Sequence, residues 1–174
     1  MQSVRSYIRA QAAVCAVINA VLNPVIAWLS NWQMEFVPLS GGNSIVVDTL
    51  ITCIVMSLLV SLFVTPAAQR EFRAGRLTGS RADFVGSGVL THFPTKSWSL
   101  GLLMGGIAAA VVTPLMFAAF RALGSTGLSF WGFIIFKALY TAALGFALTR
   151  WVILRQMLHC RAQRRMRVEA ANRA

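Results

Sequence analysis

The sequence predicts an all-α integral membrane protein, a single domain over 1–174 with four transmembrane helices. Three observations predict it. Of 174 residues, 57% are hydrophobic and 12% charged, against roughly 45–50% apolar in an ordinary soluble domain, and the mean hydropathy is +0.67. Four apolar stretches, centred near residues 18, 56, 109 and 141, are each about 20 residues or longer, enough to cross ~30 Å of hydrocarbon as a helix. The basic residues also fall in blocks between and after these stretches rather than evenly along the chain.

The first span is placed at 7–30. MQSVRSYIR resembles the positive start of a secretory signal, but the apolar segment behind it is too long for one and is interrupted by Asn19, Asn23 and Pro24, so a retained helix is expected. The second span is placed at 45–65, after an outer loop, NWQMEFVPLSGGNS, with a Gly-Gly turn. An inner segment follows at 66–98. PAAQREFRAGRL extends the second helix, with Pro66 near a kink, before Gly75, Gly79, Gly86 and Gly88 break it. The third span is placed at 99–121, entered through HFPTKSW, and the fourth at 130–153, after the short turn LGSTGLS. Residues 154–174 form a basic tail that continues the fourth helix. Trp98 marks one interface and Trp28, Trp32 and Trp131 the other.

The net charge of +11 follows from topology rather than from nucleic-acid binding, which is not expected. Arg5, Arg9, Arg70, Arg73, Arg76, Arg81, Lys96, Arg150, Arg155, Arg161, Arg164, Arg165, Arg167 and Arg173 all fall on one side of a four-span arrangement; Arg121 lies near the other side and Lys137 within a span. The positive-inside rule then places both termini in the cytoplasm, and the expected location is a cytoplasmic (inner) membrane. Cys15, Cys53 and Cys160 are too scattered for a disulfide framework or thiolate metal site, and no metal or cofactor is expected.

Two charges sit where hydrocarbon is expected: Asp48 in IVVDTLITCI and Lys137 in FIIFKALYTA. A charge inside a span costs a few kcal/mol and finds a partner, water or the bundle interior. Both helices run in the same direction. Measured from the glycine turns of the two outer loops, Lys137 lies about four residues deeper than Asp48, ~6 Å at 1.5 Å per residue, and its stem leans back toward the helix N-terminus, so its ammonium reaches the depth of Asp48. The expectation is an Asp48–Lys137 ion pair. Two alternatives stand beside it: Asp48 simply favours the dipole of its helix's first turn, or Lys137 reaches the headgroups alone.

The two halves resemble one another. Asn23-Pro24 answers Thr113-Pro114, and Asp48 with Thr52 answers Lys137 with Thr141; Pro24 to Asp48 is 24 residues and Pro114 to Lys137 is 23. This suggests two tandem helical hairpins related by a pseudo-twofold along the membrane normal, as in some transporters. Asn19 and Asn23 share a helix face, so they bond a neighbouring helix or hold a small polar ligand. A polar intramembrane site, if formed, comprises Asn19, Asn23, Asp48, Thr52, Lys137 and Thr141.

Small and hydroxyl residues recur every fourth position, at Thr49, Cys53, Ser57, Ser61 and Thr65, at Lys137, Thr141, Gly145 and Thr149, and in the GxxxG of GLLMGG at 101–106. Such stripes let helices pack closely; the alternative is a pathway lining. Arg161, Arg164, Arg165 and Arg167 are expected to meet anionic headgroups at the cytoplasmic face, at about 1 kcal/mol each.

The five acidic residues and two histidines are scattered, so no catalytic residues are assigned and an enzyme is not expected. The sequence points to a small bacterial-type inner-membrane protein. The first functional expectation is transport of a small solute or ion as a homo-oligomer. The alternative is a non-catalytic structural or accessory protein that binds a partner or anionic lipids.

Overall fold

The computed structural model describes the backbone of residues 2–74, 77–78, 93–94 and 96–171, and within these the side chains except at 2, 73, 77–78, 161, 163–165 and 167–171. The chain is an all-α membrane protein. In order it forms β1 (Gln2–Ser3), α1 (Val4–Asn31), β2 (Phe36–Pro38), α2 (Ile45–Arg73), β3 (Leu77–Thr78), α3 (Ser97–Ala122), β4 (Gly127–Ser129) and α4 (Phe130–Ala171). Among the described residues, Val4–Asn31, Ile45–Phe72, Ser97–Ala122 and Phe130–Cys160 are long and apolar enough to cross a membrane.

The helices overrun the spans expected from hydropathy because caps and hydrogen bonds, not apolarity, set helix ends. Ser3 caps α1, its side chain accepting from the Ser6 N–H, so α1 starts at Val4 rather than near residue 7. Ser44 caps α2 through the Val47 N–H, and α2 continues through Pro66 to Arg73. At 42 residues, α4 is about 60 Å long, far beyond the hydrocarbon thickness, and carries the tail as helix.

The segments expected to be plain outer loops contain strands. β2 pairs antiparallel with β4, Phe36 opposite Ser129, Val37 opposite Leu128 and Pro38 opposite Gly127. The Leu39 N–H donates to the Thr126 carbonyl and the Phe130 N–H to the Glu35 carbonyl, closing both ends of the ladder. At the terminal end of the molecule β1 pairs parallel with β3.

The hairpins interlock. Among the described residues, α1 packs chiefly on α4, α3 chiefly on α2, and α2 meets α4 in the centre, whereas α1–α2 and α3–α4 contacts are marginal. Exchanging the halves maps this pattern onto itself, as a pseudo-twofold requires. The expected register needs one correction. The Gly turns of the two outer loops are not equivalent: Gly41 follows β2 whereas Gly124 precedes β4. Aligning Val37 with Leu128 instead gives an offset of 91, close to the 90 relating Pro24 to Pro114 and the 89 relating Asp48 to Lys137.

The interior is layered. At the β2–β4 end, Ala27, Val37, Leu39, Ile45, Met116 and Phe133 form one apolar cluster. Deeper lie Met56, Val60, Leu100, Met104, Leu148 and Val152, and near the termini Val4, Tyr7, Ile8, Ala68, Ile153 and Met157.

Candidate functional site

Between the first and second of these layers, the α2–α4 seam is polar. Asp48, Thr49, Thr52 and Cys53 lie on one face of α2, and Lys137, Tyr140 and Thr141 on the facing side of α4, because residues three and four apart share a helix face. The Lys137 ammonium donates to Asp48 Oδ1 in a direct ion pair. The Lys137 side chain is 4% exposed and that of Asp48 26%, although the second carboxylate oxygen, Oδ2, is itself buried. Lys137 Nζ also stands 5.7 Å from the centroid of the Phe133 ring, one turn toward the β2–β4 end, within cation–π range. Asp48 meanwhile occupies the first turn of α2. Helix dipole and ion pair therefore act on the same carboxylate, and the two readings of Asp48 are not exclusive.

The seam holds more polar atoms than the pair uses. Among the described residues, Asp48 Oδ2, Thr49 Oγ1 and the Tyr140 hydroxyl are buried with no well-formed hydrogen-bond partner, although the Tyr140 hydroxyl faces Thr52 and Thr49 near enough for a weak one. An unpaired buried polar group costs about 1–3 kcal/mol, so three together mark a place where hydrogen-bonding capacity is left open.

Asn19 and Asn23 do not join this layer through their amides. Asn23 Nδ2 donates to Asn19 Oδ1 at 2.9 Å, and Asn19 Nδ2 to the Cys15 carbonyl at 2.8 Å. Both amides donate along α1. What reaches α4 is the Asn19 main chain: the Thr141 hydroxyl lies 3.0 Å from the Asn19 carbonyl and 2.7 Å from that of Lys137, sharing one proton between them. Thr141 therefore ties α1 to the helix turn that carries Lys137. The Asn19 side chain also packs at Gly145, where an added Cβ would meet Asn19 Nδ2 at 3.1 Å and Met56 Cε at 2.9 Å.

The four-residue stripes are packing surfaces in this arrangement. Thr49, Cys53, Ser57, Ser61 and Thr65 are all buried. A Cβ on Gly101 would sit 2.8 Å from Leu58 Cα, and one on Gly105 2.9 Å from Ile54 Cα, so both glycines of the GxxxG are consumed by α2 within one chain. Ser61 Oγ donates to the Ser97 carbonyl across that contact at 2.6 Å.

Three contributors were not among the residues singled out from sequence. Tyr140 is signalled only by its spacing of three from Lys137. Gly145 was read merely as part of a stripe. Arg155 was read as a topology charge, yet it is 5% exposed and its Nε donates to the Phe93 carbonyl at 2.9 Å, fastening the approach to α3 onto α4. Beside it Gln69 Nε2 donates to Gln156 Oε1 at 3.0 Å, joining α2 to α4. The side chains of Arg161, Arg164, Arg165 and Arg167, expected to meet lipid headgroups, lie outside the described residues. Comparison with protein-family models, curated proteins and solved structures returned no match for this chain.

Proposed function

We propose that the protein is a non-catalytic, multi-pass scaffold of the cytoplasmic membrane, with both termini in the cytoplasm, that offers its lipid-facing helices and basic inner face to a partner or to anionic lipids. The observation that carries this reading is the α2–α3 contact, where Gly101 and Gly105 lie so close to α2 that any added Cβ would come within 3 Å of its main chain. Helices so close leave no room for a solute between them. The orientation rests on the basic residues flanking the spans.

Transport of a small solute or ion as an oligomer is the second reading, favoured by the open polar atoms of the α2–α4 seam. Cysteine substitution distinguishes the two. In a background lacking Cys15, Cys53 and Cys160, cysteines at 57 and 61 in membrane vesicles are expected to resist water-soluble thiol reagents and to react only after denaturation. Rapid labelling of both in the native protein would overturn the scaffold reading in favour of a water-filled pathway.

A further inference from the structure

We propose that the layer formed by Asp48, Thr49 and Tyr140 is a binding site for a primary ammonium group, with Lys137 as its built-in occupant. The chemical class follows from what the site already holds. A primary ammonium, that of Lys137, sits on Asp48 Oδ1, while Asp48 Oδ2, Thr49 Oγ1 and the Tyr140 hydroxyl stand by without well-formed hydrogen-bond partners. Thr49 is fully buried, so its unpaired hydroxyl cannot be answered by bulk solvent. A primary ammonium carries three donors. The lysine tether delivers its own to one carboxylate oxygen; an untethered group is free to settle among the remaining oxygens.

Charge decides what else must move. With Lys137 paired the layer is neutral. A second cation beside it would leave one net charge in a low-dielectric setting, at a cost of several kcal/mol. Binding is therefore an exchange, and Lys137 has a place to go. Its side chain leans toward the N-terminus of α4 and can snorkel about 6 Å toward the headgroup level, past the buried Phe133 ring that stands 5.7 Å from the ammonium. Asp48, in the first turn of α2 and with the more exposed side chain of the two, is the side from which a ligand approaches, reaching the buried Oδ2 as Lys137 withdraws. That end of the molecule carries the exposed Trp32 and Trp131, residues that favour the headgroup level. The ammonium thus comes from a free amine or from an ethanolamine phospholipid.

The test is thermal stability of the full-length protein in two settings. In detergent, ethanolamine is compared with tetramethylammonium, which has the charge but no donors. In nanodiscs, ethanolamine phospholipid is compared with choline phospholipid. Wild type is expected to be stabilised by the primary ammonium over its quaternary counterpart in at least one setting; which setting responds identifies the source. Lys137→Met removes the competitor and is expected to respond at about a tenth of the ligand concentration, as an apparent affinity recovers when the competent state is fully populated. Asp48→Asn is expected to abolish the response, and Tyr140→Phe, which removes one oxygen, to weaken it. Equal effects of primary and quaternary ammonium on wild type in both settings overturn the proposal, as does a response retained in Asp48→Asn. A response in Lys137→Met with none in wild type shows a permanent latch and likewise overturns the exchange. Should Lys137→Met not fold, wild type and Tyr140→Phe decide the matter.

Discussion

Lys137, seven residues into α4, and Asp48, in the first turn of α2, form an ion pair at the central seam, where the second helix of each half meets its counterpart. Because Lys137 is almost fully buried, removing its partner strands a charge rather than merely losing a contact. Breaking a buried pair from one side costs about 3–5 kcal/mol, whereas replacing both members by neutral residues costs far less. Asp48→Asn and Lys137→Met are each expected to lower the midpoint of unfolding in detergent sharply, and the double variant to recover most of the loss. A double variant as poor as its worse single would refute the pairing energetics. The charge-swapped protein, Asp48→Lys with Lys137→Asp, is expected to recover only partly, because the shorter aspartate would then occupy the more buried of the two positions.

Glycine substitutions separate the packed face of α3 from its open face. Gly101→Ala and Gly105→Ala drive a methyl into α2 main chain and are expected to destabilise by about 1–3 kcal/mol each, the usual range for overpacking. Nothing lies within 4 Å of a Cβ at Gly106, so Gly106→Ala is expected to be neutral or to stabilise by up to about 1 kcal/mol through helix propensity. Denaturation of the three variants checks the contrast; equal losses at 105 and 106 would contradict the α2–α3 contact.

Arg155 offers a test at the other end. Its guanidinium holds the Phe93 carbonyl, and hydrogen bonds to charged groups contribute about 1.5–3 kcal/mol. Arg155→Met is expected to speed tryptic cleavage at the exposed Lys96 while leaving the helical content unchanged. Unaltered cleavage would mean that the contact does not restrain this segment.

The β2–β4 pairing can be trapped covalently. Phe36 and Ser129 face one another in a position between the hydrogen-bonded pairs of the ladder, where side chains approach most closely. In a background without the native cysteines, Phe36→Cys with Ser129→Cys is expected to form a disulfide on mild oxidation. After proteolysis within 66–96 the two halves should then migrate together until reductant is added. Halves that separate without reductant would rule out the register.

Much of the architecture was legible in the sequence because hydrocarbon thickness and the cost of buried charge leave few options. Four spans follow from length and apolarity, and the Asp48–Lys137 pair follows from the cost of an unpaired charge in a span, although the four-residue difference in depth used to argue it disappears in the strand register. The helix neighbours were not legible. In a soluble helix the apolar stripe marks the buried face, but in a span the lipid-facing residues, such as Val17, Val21 and Leu29 of α1, are as apolar as the interior. Nothing in composition therefore shows that α1 belongs with α4. The three-residue strands were too short for an alternating pattern to emerge. The glycine turns invited an alignment that the strand register replaces. Asn19 and Asn23 read as candidates for a site, because sequence shows their shared face but not that each amide is answered within its own helix.

The interlocking of the hairpins also has a consequence in time. During synthesis α1 enters the membrane well before its principal partner, α4, leaves the ribosome. Through the synthesis of α2 and α3, α1 must therefore reside in the membrane without that partner. The amides that would be least welcome there are already answered by Asn19 and the Cys15 carbonyl on the same helix. Asp48, by contrast, arrives long before Lys137 and must wait at the end of α2 nearest the headgroups. The order of emergence thus gives the first helix a self-sufficient polar network and leaves the exposed carboxylate near water until its lysine follows.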